Sequence, residues 1–287
     1  MAEKNDRFHY TIRNIREEIV TLCPGFYRIT YCWGLKPNTL IVTGADGVLV
    51  VDPGQRSMAD RLKKAISAIS SKPVVYIVNT HPHGDHIGAN KAFCPPARLI
   101  TFDSLYSYHE MDFLKYHTPA FPGCKEERIT GSFSFSFYDT RVLLIPAPGI
   151  HSDKDMLVYF PVQGIVHIGD LLLTETFPVV GYKVKEYLQF LGTVQKVFPE
   201  NTLFVGGHGR ELDMASLSAY REMLESTVNI IRSEKKKGRS MTEVMENDVL
   251  NPWSSYGSYI KFITKDFWIE SVWRSYGDRK SRLFEWL

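Results

Sequence analysis

The sequence predicts an α/β layered fold, and three observations carry that prediction. Runs of β-branched and aromatic residues open the chain, a helix-periodic segment then separates two apolar runs, and further strands and helices follow. Strand, helix, strand is the order of a crossover, which joins parallel strands. The 287 residues, 44% of them hydrophobic, suffice for a large core. No linker divides them, so a single domain over 1–287 is expected, with a helical C-terminal part from about 211.

Residues 25–31 alternate and are rich in aromatic and β-branched types, as a strand requires. Residues 39–43 and 47–51 flank Gly44-Ala45-Asp46, a hairpin signal. The second of these runs is apolar throughout, as a strand covered on both faces should be. It ends at the turn Asp52-Pro53-Gly54. Ser57 suits the N-cap of a helix reaching about residue 70, with Met58, Leu62, Ala65, Ile66 and Ile69 on one face. Pro73 stops it, and 74–78 reads as a second buried strand. Residues 101–123 are rich in Tyr, Phe and His and read as partly helical. Strands resume at 133–137, 141–145, 156–160 and 165–168. A helix near 184–197 precedes a short strand at 202–205. After His208, Leu217, Tyr220, Met223, Leu224, Val228 and Ile231 recur at helical spacing.

Composition narrows the function. Thirty-four basic against 32 acidic residues give a net charge of +2, without the basic excess of a nucleic-acid binder. The run Lys235, Lys236, Lys237 and Arg239 reads as a solvated helix end. Cys23, Cys32, Cys94 and Cys124 form no CxxC pair, and a disulfide framework is not expected of so large a chain. Residues 1–7 lack the apolar core of a signal peptide, and no stretch approaches the roughly 20 apolar residues of a membrane span. The expectation is a cytoplasmic protein acting on a small molecule, with no nucleic-acid or membrane partner. The aromatic C-terminal tail can pack on its own domain or on a second copy, which leaves a homo-oligomer open.

The chemistry concentrates at His81-Pro82-His83-Gly84-Asp85-His86. In an extended segment, side chains two apart point the same way, so His81 and His83 can reach one metal. Gly84 can turn the backbone sharply, aiming Asp85 and His86 at a second point. Imidazole and carboxylate donors suit zinc. Other candidates also follow apolar runs: Asp52, His151, Asp170 and His208. In open α/β sheets, sites gather at the carboxyl ends of strands. A histidine alone is more often a packed or surface residue, and His9, His109, His117 and His167 are read so. His109 and His117 lie in the aromatic segment, where substrate contact is also open.

In these residues the sequence resembles the metallo-β-lactamase superfamily. The likeness rests on the HxHxDH run His81, His83, Asp85 and His86, then His151, then Gly169-Asp170, then Gly207-His208, with Asp52 as an early strand-end aspartate. It covers residues from about 25 to 209. It implies an αββα sandwich of two mixed sheets with outer helices. It implies that His81, His83 and His151 hold one divalent ion, that Asp85, His86 and His208 hold a second, and that Asp170 bridges them. Asp52 would orient ligands from behind. The implied chemistry is hydrolysis by a hydroxide held between two metal ions, with Asp85 also moving a proton to the leaving group. Zinc is the first expectation; manganese and iron suit the same donors. The ligand set matches the hydroxyacylglutathione hydrolases (glyoxalase II-like). Asp170 stands where one subclass of β-lactamase has cysteine, and His83 where flavodiiron proteins have glutamate. An ester, thioester or lactone is therefore the expected substrate class. Phosphodiesterase, weak β-lactamase and mononuclear-iron persulfide dioxygenase chemistry are the alternatives. No substrate-binding residue is assigned, although residues 102–121 suit a partly apolar pocket wall.

Overall fold

Alternation along the strands sorts the apolar residues into three layers of packing. In β4 (Val48–Val51), Leu49 and Val51 face one core while Val48 and Val50 face another. In β3 (Asn38–Thr43), Leu40 and Val42 share the first core and Ile41 the second. That is why both runs are apolar throughout: each strand is covered on both faces. The computed structural model describes residues 15–32, 35–103, 121, 123–258 and 260–277.

A seven-stranded sheet runs β1 (Glu17–Cys23), β2 (Phe26–Tyr31), β3, β4, β5 (Val74–Val78), β6 (Arg98–Phe102) and β7 (Lys125–Ile129) in spatial order. Its first four strands are antiparallel neighbours, and β4 to β7 are parallel. A five-stranded sheet has the order β12 (Leu203–His208), β11 (Ile165–Leu173), β10 (Met156–Phe160), β9 (Thr140–Pro146), β8 (Phe133–Phe137). Only β11 and β12 pair in parallel there. The sheets face each other across Phe26, Leu40, Val51 and Val78 on one side and Val142, Leu144, Val158 and Phe160 on the other. The outer face of the first sheet carries α1 (Ala59–Ile69) through Leu62, Ala65 and Ile66. The outer face of the second carries α3 (Val184–Val197), α4 (Met214–Lys236) and α6 (Lys265–Ser275), with Trp268 stacked on Phe177. A one-turn helix α2 (Gly84–Ile87) holds the motif, and α5 (Met241–Glu246) opens on a Ser240–Glu243 capping box. The architecture is the αββα sandwich of two mixed sheets.

Four sequence readings are corrected. Ser57 does not cap α1; it lies inside a 3-10 turn, Arg56–Met58, that leads into the helix with no side-chain cap. Strands β1, β6 and β7 add to those the sequence predicts; β1 and β7 lie at the sheet's edges, where polar residues interrupt the apolar signal. Strand β11 continues past 168 to Leu173, because the register shift at Gly169 keeps the chain paired with β12. Finally, Cys94 and Cys124 form a disulfide across 30 residues of sequence, one clasp where no framework was expected. It ties the approach to β6 to the start of β7. The partly helical segment expected at 101–123 falls mostly outside the described residues.

Candidate metal centre

All eight candidates from the sequence meet at one place, where the carboxyl ends of β4, β5, β9, β11 and β12 converge. His81 and His83 lie on the extended stretch after β5, and His83 is still extended (φ −69°, ψ 144°) as it enters α2. Asp85 and His86 sit in α2; the turn is made by helix rather than by a left-handed glycine. His151 follows β9, Asp170 lies within β11, and His208 ends β12. Their donor atoms form three groups, each within 4.8 Å: His81, His83, His151 and Asp170; Asp85, His86 and His208; and Asp52, His81 and His86.

Asp170 spans the first two groups. Its Oδ1 is 3.2 Å from His86 Nε2 and 3.3 Å from His208 Nε2, while its Oδ2 is 3.4 Å from His151 Nε2 and 3.7 Å from His81 Nε2. Asp85 Oδ2 faces His86 and His208 at 3.6 and 3.5 Å. Two glycines make this crowding possible. A Cβ on Gly207 would lie 1.9 Å from Asp170 Oδ1. Gly169 has φ +58°, and a Cβ there would meet Thr80 Oγ1 at 2.5 Å.

The outer ring nitrogens settle which nitrogens face inward. His151 Nδ1 is 2.8 Å from the Val179 carbonyl and His208 Nδ1 is 2.6 Å from the Leu35 carbonyl. A carbonyl only accepts, so each Nδ1 carries a proton and each Nε2 is the nitrogen turned to the centre. His86 Nδ1 donates to Asp52 Oδ2 at 3.1 Å. The Thr80 hydroxyl donates to the same carboxylate and accepts from His81 Nδ1 at 3.0 Å. Asp52 therefore orients two imidazoles, one directly and one through Thr80, from a left-handed backbone position (φ +51°). Meanwhile His83 Nδ1 is 3.1 Å from His81 Nε2 and 2.9 Å from His151 Nε2. Three imidazole nitrogens and an Asp170 oxygen thus converge on one point, and nitrogen and carboxylate donors are those a divalent metal accepts. The residues fit a metal.

The electrostatics divide the centre. Burial lowers His81 well below the ordinary histidine value and takes His83 down to about 3, with the neighbouring imidazoles adding repulsion. Burial opposes charge on His86 and His208 too, but the Asp170 and Asp85 carboxylates overcome it and raise both. The same imidazoles hold Asp170 well below the carboxylate range against its own burial. His86 and Thr80 do likewise for Asp52.

Sequence reading missed several supports. Asp155 accepts from the His151 N–H at 2.9 Å and from the Ser152 N–H at 2.8 Å, fixing the loop that presents His151. Burial pushes Asp155 up to about 6 despite those bonds. Asn79 and Asn90 exchange amide bonds at 3.2 and 2.7 Å behind the motif. No short motif marks these residues, although Ser152-x-x-Asp155 has turn spacing. His167 lies buried in β11, as expected of a packed histidine. His9, His109 and His117 lie outside the described residues.

The family model of the metallo-beta-lactamase superfamily matches residues 33–230. A solved metallo-beta-lactamase from Pontibacter korlensis superposes with a TM-score of 0.58 at 19% identity, covering 73% of this chain and 99% of that one. The stereoselective inverting sec-alkylsulfatase from Pseudomonas sp. gives 0.65 at 14% identity, over 91% of this chain and 50% of its own. A beta-lactamase domain protein from Burkholderia ambifaria gives 0.58 at 17%, over 75% and 78%. These likenesses show the fold. Among curated proteins, the 2,4-dinitroanisole O-demethylase subunit alpha of Nocardioides sp. (strain JS1661) is 27% identical over 172 residues, 57% of this chain. The match spans about half (47%) of that relative's length. With its family pattern spread over both sheets and gathered at one centre, the chain belongs to the metallo-beta-lactamase superfamily, a family of metal-dependent hydrolases.

Proposed function

We propose that this protein hydrolyses a small-molecule ester, thioester or lactone with two divalent cations, zinc by preference, held by the two donor groups and shared through Asp170. The observation that carries the reading is the placement of Asp170, with one oxygen toward His86 and His208 and the other toward His81 and His151. Bound there, divalent cations supply Lewis acidity and bring the pKa of water to about 7. His81, His83 and His151 would hold one cation, and Asp85, His86 and His208 the other. Asp52 and Thr80 keep the rings of His86 and His81 aimed. Asp85 and His83 are the partly exposed members of the set, so they face an arriving substrate. Asp85 is thus the carboxylate placed to hand a proton to the leaving group.

One finding favours a second reading. The curated relative's name is that of an O-demethylase of 2,4-dinitroanisole, so cleavage of an aryl methyl ether belongs beside the acyl substrates. The test is a panel of chromogenic esters, thioesters, lactones, a phosphodiester, a β-lactam, a secondary alkyl sulfate and 2,4-dinitroanisole, run on the zinc-loaded chain and on Asp170→Ala. Turnover of an acyl substrate, lost about 100-fold or more in D170A, is the expected result. Activity on none of the acyl compounds, or an undiminished rate in D170A, would contradict it. One iron per chain with oxygen consumption on a persulfide would replace it by an oxygenase.

A further inference from the structure

We infer that Asn38 is a positioning residue for the metal centre: its side-chain amide clamps the two peptide carbonyls that flank Gly207-His208 and so sets where His208 presents Nε2. The inference rests on the metal reading above. Asn38 is fully buried at the start of β3, in the first sheet, whereas His208 ends an edge strand of the second. Its Nδ2 donates to the Gly206 carbonyl at 2.9 Å and to the Gly209 carbonyl at 2.8 Å. Both amide hydrogens are therefore spent on the His208 turn.

The network permits no other orientation of the amide. Carbonyls only accept, so the NH2 must face them. On the opposite side Oδ1 receives the Thr30 hydroxyl and lies 3.5 Å from Arg28 Nη1. Arg28 is itself 2% exposed, donates to Thr30 and reaches Glu211 beyond the turn at 3.2 Å. Thus β2 and β3 grip the His208 turn at Gly206, Gly209 and Glu211. The segment just before Asn38 completes the grip: Pro37 bridges to His208, and the Leu35 carbonyl takes the His208 Nδ1 proton. Asn38 thus holds the backbone on both sides of His208, while Leu35, three residues before Asn38, takes the ring proton.

An isosteric carboxylate cannot perform this function. Asn38→Asp would turn an acceptor oxygen onto two carbonyl acceptors and remove both donors. The experiment titrates zinc into full-length, chelator-stripped native and N38D chains against a chromophoric competitor, with thermal melts of the stripped proteins alongside. Native protein is expected to bind two ions. N38D is expected to keep the His81, His83, His151 ion and to bind the other about tenfold or more weakly. A lower melting temperature with both affinities unchanged would assign Asn38 a merely structural role and overturn the proposal. Should N38D fail to fold, Thr30→Val removes one donor from Oδ1 at nearly constant volume. It should weaken the same site by about threefold or more, and unchanged affinities there would overturn the proposal equally. A native chain that binds no zinc would sink the metal reading and the inference together. Two ions in native protein beside unaltered affinities in the variants would sink the inference alone.

Discussion

His86 and His208 carry protons more tightly than ordinary histidines because Asp170 and Asp85 face them. A metal bound through their Nε2 atoms must displace those protons, since an imidazolium has no lone pair to give. The sign follows. Below the raised values protons compete, so apparent affinity at this group rises with pH, by up to about tenfold per unit for each proton displaced. Above them the dependence flattens. Isothermal titration of zinc into stripped protein, in buffers of different ionisation enthalpy near neutral pH, should show net proton release; pH-independent affinity without release would contradict the charge assignment. His81 and His83, already neutral by burial, contribute no such release. At this scale the sequence disclosed the residues that cluster at the centre but not their supports. Asn38, Thr80 and Asp155 act through hydrogen bonds to residues that their own sequence neighbourhood does not advertise. Thr80 adjoins the motif, yet its hydroxyl works on Asp52, 28 positions earlier.

Among the elements, the interior strands β4 and β5 were legible because each is an unbroken apolar run, while interior β6, opened by Arg98 and broken by Thr101, was not. Two edge strands of the first sheet were not, because β1 and β7 interleave Glu, Lys and Arg with apolar residues where a flank is open to water, whereas the edges of the second sheet, β8 and β12, keep enough aromatic and β-branched residues to be read. Helix α1 was found by its apolar spacing and misjudged at its first turn, where no side chain caps. The Cys94–Cys124 clasp was invisible for another reason: pairing depends on β6 and β7 lying side by side, which spacing alone does not state. Closing 30 residues is expected to contribute about 2–4 kcal/mol, so Cys94→Ser with Cys124→Ser should lower the denaturant midpoint accordingly. An unchanged midpoint, or two free thiols on the native chain at these positions, would contradict it. Such a clasp persists in oxidising surroundings, which sets it in tension with the cytoplasmic location expected from the N-terminal residues. No helix among the described residues is long and apolar enough to cross a membrane.

For the molecule as a whole, the centre lies on the seam between the sheets. The first sheet delivers Asp52 after β4 and His81 to His86 after β5; the second delivers His151, Asp170 and His208. Thr80 even joins the seam by its backbone, its carbonyl accepting from Met156 N–H at 2.8 Å. A cation held there would cross-link the layers and bind the folded chain only, so metal should raise stability by mass action. Sequence could foresee this convergence because each candidate follows, ends or interrupts an apolar run, and runs of that kind build one core. It could not foresee the Arg28, Thr30 and Asn38 network, which exists only once β3 passes beside β12. The most direct measurement is the elemental content of the full chain purified without added metal and then equilibrated with zinc. The account predicts two divalent ions per chain, both lost to a strong chelator with a fall in melting temperature. A chain that stays metal-free, or melts identically with and without zinc, would contradict it.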